Sequence, residues 1–320
     1  MHIKGKIDYD RRFHLEELLT MGILVVLNAL ILVRAGVQNA PVIFSMNCVF
    51  MGMLLAVPVL HFRYIQGSWF ETFRDFYPLV IGVIVFFEHH HLVPLVNPND
   101  IDDVLVHLDR FLFLGNDPTV LAESITCPVV TEIFQVSYAT FYFLPALLIV
   151  VLYLKDKKIQ FHIAASTIYF SLYVCYLGYY ITPAIGPRFT LNQLQTMSLE
   201  GVFLFDFVRT TLDNWEGITR DCCPSGHTMH SVVTLFLAYK FYKPYFKTAA
   251  VWATLMTLST VYLRYHYVVD VIVGLILAMI VVRYTPQLVH RFIFWGSSPR
   301  ECLPAEEGEP ALFESLPDSK

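Results

Sequence analysis

Apolar runs separated by short polar stretches make up most of this chain. Runs with few or no charges fall at about 18–34, 42–62, 77–96, 132–154, 162–182, 227–243, 248–264 and 267–284. Their length and continuity predict membrane-spanning helices. The last three are short for a hydrocarbon layer of roughly 30 Å, as expected if polar groups are buried at their outer ends. The alternation of a membrane β-barrel is absent. The expected fold is all-α: a polytopic membrane helical bundle of about eight transmembrane helices. The opening "MHIKGKIDYDRRFH" enters the first run without a small-residue cleavage site, and that run reads as a retained helix.

A different pattern occupies "NDIDDVLVHLDRFLFLG". Ile101, Val104, Leu105, Leu108, Phe111 and Leu112 recur at helical spacing, which predicts an amphipathic helix on the outer membrane surface. Composition agrees with the membrane reading. The 320 residues are 56% hydrophobic and 15% charged, where soluble domains carry about 25% charge. The acidic, proline-containing tail "ECLPAEEGEPALFESLPDSK" is expected to be disordered. Nothing suggests a nucleic-acid partner. With the N-terminus in the cytoplasm and eight spans, sixteen Lys and Arg face inward and six outward. This bias predicts both termini in the cytoplasm of a plasma or inner membrane, with 97–131, 183–226 and the turn near 264–267 outside.

Ionisable residues in apolar segments carry the functional information. His266 and Asp270 lie one helical turn apart, so the carboxylate can hold one imidazole nitrogen and leave the other as a nucleophile. Alone, this spacing reads better as a packing ion pair that caps a helix start. A second cluster, "CCPSGHT" at 222–228, changes the balance. Ser225 suits an N-cap, Gly226 lets the backbone approach a ligand, and His227 enters the first turn, where free N–H groups favour phosphate. The sixth span leads in from His227 and the seventh returns to Arg264, so both clusters reach one face. Arg188, in "TPAIGPRFT", lies there too. Two histidines, cationic groups and a helix N-terminus suit a tetrahedral anion. One histidine can attack phosphorus while the other protonates the leaving oxygen.

Pro224-Ser225-Gly226-His227 followed by His266-Tyr267-Val268-Val269-Asp270 resembles the type 2 phosphatidic acid phosphatase superfamily. The "HYVVD" form and "LDRFLFLGNDPT" at 108–119 are most similar to the branch containing inositol phosphorylceramide synthase and sphingomyelin synthase, an inositolphosphotransferase-like branch. The resemblance implies a six-helix phosphatase-like core at 77–284, preceded by a segment at 1–76 with two extra helices and followed by a tail at 285–320. It implies that His266 is the nucleophile forming a phosphohistidine, Asp270 its orienting partner and His227 the general acid. Ser225 and Gly226 would hold phosphate oxygens. The family's Lys-x6-Arg-Pro motif is absent, and Thr260 stands where an arginine usually precedes the nucleophile. Arg188 and Arg264 are the expected substitutes for these phosphate-binding groups. No metal or other cofactor is expected, since protein cations neutralise the charge.

Three further features are candidates. Glu88 and His91, in "FEHHHLVP", could line an acceptor site. Cys127 could bridge Cys222 or Cys223 on the outer face, or all three could be free thiols. His162 and His230 read as interhelical hydrogen-bonding residues. The expected function is a lipid phosphatase or phosphotransferase that passes a phosphoryl-containing group from a lipid phosphate to water or an alcohol. The alternative is a non-enzymatic carrier of anionic lipid headgroups, which needs no paired histidines backed by a carboxylate.

Overall fold

The computed structural model describes residues 13–65, 67–141, 143–216 and 220–293. Among these the protein is all-helical. Helix α1 (Leu15–Leu30) continues through a π-helical turn and leads to α2 (Pro41–Arg63) and α3 (Ser68–Val96). Next come α4 (Asp102–Leu112), the single turn α5 (Pro118–Leu121), α6 (Pro128–Ala139), α7 (Phe143–Leu154) and α8 (Lys158–Ile181). The last five are α9 (Pro187–Thr190), α10 (Phe205–Glu216), α11 (Gly226–Phe241), α12 (Lys243–Tyr262) and α13 (Val268–Ile293). Proline opens α2, α5, α6, α9 and α12, where its fixed φ fits and no amide bond is lost.

Helix α8 is central. It packs against α1, α3, α7, α11 and α13, and its Tyr169, Tyr176 and Phe161 are fully buried. Apolar residues also cover the outside: Val33 on the π turn, Val42 on α2 and Val80 on α3 are all more than half exposed. An outer surface of this kind is stable against lipid and not against water.

Each of the eight apolar runs forms helix, but the expected eight spans are not all supported. Five helices are long and apolar enough to cross a membrane, or six if α6 and α7, bent by 51°, form one broken span. The two that fall short are α11 and α12. The 16 residues of α11 rise only about 24 Å. Helix α12 has the length but carries Lys243, Lys247 and several Ser and Thr residues. The protein is an integral membrane protein.

The proposed tail boundary at 285 falls inside α13, which continues to Ile293. The rest of the tail, and the opening segment 1–12, lie outside the described residues. Helix α4 is amphipathic as expected. Val104, Leu108, Phe111 and Leu112 are exposed, whereas Leu105 turns inward with the acidic Asp102 and Asp109.

Candidate active site

Helix α11 begins at Ser225, which is fully buried and caps it by accepting a hydrogen bond from the Thr228 amide at 3.4 Å. This cap directs His227 into a cavity of about 50 Å³ bounded by His227, His266, Arg188, Gly226, Cys222 and Tyr265. That volume admits several waters or one small anion. Helices α11 and α13 approach closely here. A Cβ on Gly274 would come within 2.5 Å of the Ser225 carbonyl oxygen, so only glycine fits.

His266 precedes α13, and its Nδ1 lies 2.9 Å from Asp270 Oδ1. Asp270 is wholly buried. Its second oxygen accepts hydrogen bonds from the Tyr267 amide at 2.8 Å and the Cys222 thiol at 3.0 Å. These partners fix the carboxylate so that Nδ1 of His266 carries the shared proton. Nε2 of His266 then presents its lone pair to the cavity, 3.3 Å from Nδ1 of His227. Burial alone would lower the His266 pKa, but the Asp270 charge and hydrogen bond prevail and hold it above 6.5.

Aromatic rings position His227. Tyr138 stacks on its face at 4.2 Å between centroids, with Tyr265 on the other side of Tyr138 at 4.3 Å. Phe141 contacts the imidazole at 4.4 Å. Toward α3 and α8 the cavity wall is apolar and aromatic, with Phe86, Leu172, Tyr176 and Tyr179. Such a wall suits the body of a lipid better than a free ion.

Arg188 faces the cavity from α9 and is held by Asp213 of α10, with contacts of 2.6 and 2.7 Å. The preceding loop is tied down by Asp102, whose carboxylate accepts hydrogen bonds from the Ile185 and Gly186 amides at 3.0 and 2.9 Å. The Tyr267 hydroxyl donates to the same carboxylate at 2.8 Å. Gly186 has φ +93, and a Cβ there would meet the Tyr265 carbonyl oxygen at 2.6 Å. Glycine is required on both counts. Asp109 accepts hydrogen bonds from the Val268 and Val269 amides at 3.0 and 2.8 Å, capping α13. Asp102, Asp109, Tyr138 and Asp213 were missed in the sequence. The signal for the first two was a pair of aspartates seven residues apart on one edge of α4.

Several expected site residues lie elsewhere. Arg264 does not line the cavity. Its guanidinium binds Glu123 and the Gln195 side chain at 2.9 Å each and the Met197 carbonyl at 2.8 Å, so it anchors loops. Glu88 and His91 do not line the cavity either. Glu88 is buried on α3 and His91 is exposed. The candidate Cys127 bridge is not formed. Cys127, Cys222 and Cys223 are free thiols, the first exposed and the second directed at Asp270. His162 does bond between helices, to Glu16 of α1, but His230 bonds within its own helix to the Gly226 carbonyl. Cys222, His266 and Asp270 lie within metal-ligand distance of one another. Burial, reinforced by Asp270, raises the Cys222 pKa well above its ordinary value, which favours the thiol that donates to Asp270.

A sequence model of the PAP2 superfamily matches residues 103–284, more than half the chain and the whole stretch from α4 through the two histidine motifs. The chain belongs to the PAP2 superfamily. The PAP2 match begins at α4, the helix that holds the Arg188 loop and caps α13. A PA-phosphatase related-family protein of Dictyostelium discoideum is 29% identical over 188 residues. That match covers 51% of this chain and 33% of the relative, so the chain spans about a third of the relative's length. No solved structure matches.

Proposed function

We propose that the chain is a membrane lipid phosphatase or phosphotransferase that works through a phosphohistidine on His266. One observation carries this reading: His266 is bonded to buried Asp270 through Nδ1 and turns Nε2 to the cavity beside His227. A carrier of anionic headgroups has no use for that pairing. Membership of the PAP2 superfamily favours a lipid phosphate as substrate. The "HYVVD" motif and the segment at 108–119 favour transfer to an alcohol, as in the inositolphosphotransferase-like branch.

In the first step Nε2 of His266 attacks phosphorus. A phosphorus–nitrogen bond forms, the phosphorus–oxygen bond to the leaving group breaks, and protonated His227 supplies the proton that oxygen needs. Arg188, released from Asp213, balances the charge that builds on the phosphoryl oxygens, assisted by the start of α11 at Ser225 and Gly226. Asp270 stabilises the positive charge on the His266 ring. In the second step His227 takes a proton from water or an alcohol, which attacks phosphorus and releases His266.

The same proposal holds that short α11 and polar α12 complete eight crossings, with α1 and α2 added before a core at 77–284. The sixteen-to-six charge bias supports termini in the cytoplasm and the cavity on the outer face. The test is brief incubation of purified protein with phosphorus-labelled lipid phosphates, with and without inositol or ceramide. Acid-labile, base-stable label on the protein that His266→Ala abolishes supports the reading. Label persisting in that variant removes His266 as nucleophile. Unimpaired headgroup movement in His266→Asn, with no turnover in the unaltered protein, points to the carrier.

A further inference from the structure

A second polar cluster lies at the other end of the bundle. His14 immediately precedes α1, Asp75 lies in the first third of α3, and His162 lies near the start of α8. The far end of α8 carries Thr182, which bonds the Cys223 carbonyl beside the catalytic cavity. The intervening helix separates the two sites by about 30 Å.

The three side chains converge on one point. Nδ1 of His14 is 3.7 Å from Asp75 Oδ1, and Nε2 of His162 is 3.9 Å from the same oxygen. One ligand atom from each residue lies within 4.8 Å of the others. Ligands about 2.0–2.1 Å from a tetrahedral metal lie roughly 3.4 Å apart, so these three need only a small contraction. They border a cavity of about 240 Å³ that leaves a fourth position for water.

The surrounding groups match what a metal requires. Nδ1 of His162 lies 3.2 Å from Glu16 Oε1, so a carboxylate holds one ring nitrogen while the other faces Asp75. Metal-binding histidines are oriented in this way. Lys158 engages Asp75 at Oδ2, 3.3 Å away, and leaves Oδ1 to the histidines. Charge also favours a cation over an anion. Glu16, Glu17, Glu71 and Asp75 surround the cluster, against Arg74 and Lys158. Both cations are already engaged, Arg74 by Glu17 at 3.0 Å and Lys158 by Asp75.

We propose that His14, Asp75 and His162 form a binding site for a divalent transition metal, with zinc the best match to two imidazoles and one carboxylate. The site joins α1, α3 and α8 and takes no part in the phosphoryl chemistry. Ligands from three helices make it a clasp between the N-terminal helices and α8.

The test uses purified full-length protein, stripped with chelator, re-equilibrated with zinc, washed and analysed for metal by mass spectrometry. The expected result is about one equivalent of zinc, retained in His266→Asn, with affinity at least tenfold weaker in Asp75→Asn and His14→Ala. Cobalt provides a readout that needs no variant: the unaltered protein should show visible d–d bands of a four-coordinate site, and zinc should displace them. Three results would overturn the proposal: no zinc retained by the unaltered protein, retention undiminished in both ligand variants, or no zinc-displaceable cobalt bands.

Discussion

Asp213 accepts hydrogen bonds from both terminal nitrogens of Arg188. The arginine that lines the cavity with the two histidines is therefore already engaged by a carboxylate, in the fork geometry that a phosphate would use. A phosphate must displace Asp213 to reach it. Asp213→Asn should strengthen inhibition by orthovanadate or inorganic phosphate about two- to fivefold, since a partly exposed ion pair contributes ~0.5–1 kcal/mol. Arg188→Ala should weaken it roughly tenfold or more. Competitive inhibition constants measured for both variants decide the matter. Weaker inhibition in Asp213→Asn would mean that Asp213 aligns Arg188 instead of competing for it.

Asp270→Asn should lower turnover by about 10²–10³. The analogous change in a serine-protease triad costs ~10⁴, but here the histidine attacks directly and needs no proton from a hydroxyl. The pH profile gives a second readout. The attacking ring must be neutral and His227 must be protonated, so kcat/KM should be bell-shaped in pH, with one limb set by His266, whose pKa Asp270 raises. Losing the Asp270 charge and hydrogen bond removes the largest upward effects on that ring, and the limb set by His266 should move to lower pH. An unmoved limb would assign it to a different group.

Arg264→Ala should damage the fold more than the chemistry. Its guanidinium binds Glu123, Gln195 and Met197, and losing a buried charged partner costs about 3–5 kcal/mol. A lower unfolding temperature is expected, with KM in the surviving folded protein changed less than threefold. A large rise in KM at unchanged stability would return Arg264 to the phosphate.

Asp102→Ala should impair both stability and turnover. It removes the acceptor for three hydrogen bonds, two holding the loop before Arg188 and one holding Tyr267. A loss of roughly 2–4 kcal/mol is expected, and Asp102→Asn should recover part of it. Thermal unfolding and kcat/KM measured together test this. Normal kcat/KM in Asp102→Ala would show that the loop keeps its position unaided.

Orientation is open to a direct measurement. An extracytoplasmic reporter fused near Gly201 should be active, and one fused near Lys157 inactive. The reverse pattern would place the cavity on the cytoplasmic side.

The sequence made local relationships legible. His266 and Asp270 are one turn apart, and the Ser225 cap follows from a serine before a helical run; both are settled by residues close in the chain. Hydropathy located the long apolar helices but could not show which ones cross. Helix α11 is too short, and the polar content of α12 is averaged away in an apolar run. Arg264 misses the cavity for a definite reason. Counting turns presumes helix, but α12 ends at Tyr262 and Arg264 has φ +68. Beyond that break, helical periodicity says nothing about direction. Asp213 and Tyr138 stayed hidden because their partners are distant in sequence, and no spacing rule reaches across 25 residues to Arg188 or from α6 to His227.

Asp102 and Asp109 sit on one edge of α4, about 10 Å apart along its axis. One grips the loop that carries Arg188, and the other grips the first amides of the helix that carries Asp270. Helix α4 thus serves as a ruler. The separation between the anion-holding loop and the nucleophile's support is inherited from the rise of a peptide helix, a length that varies far less than any loop. A one-residue insertion between the two aspartates would rotate one grip by about 100° relative to the other, so the spacing should tolerate substitution but not a change in count.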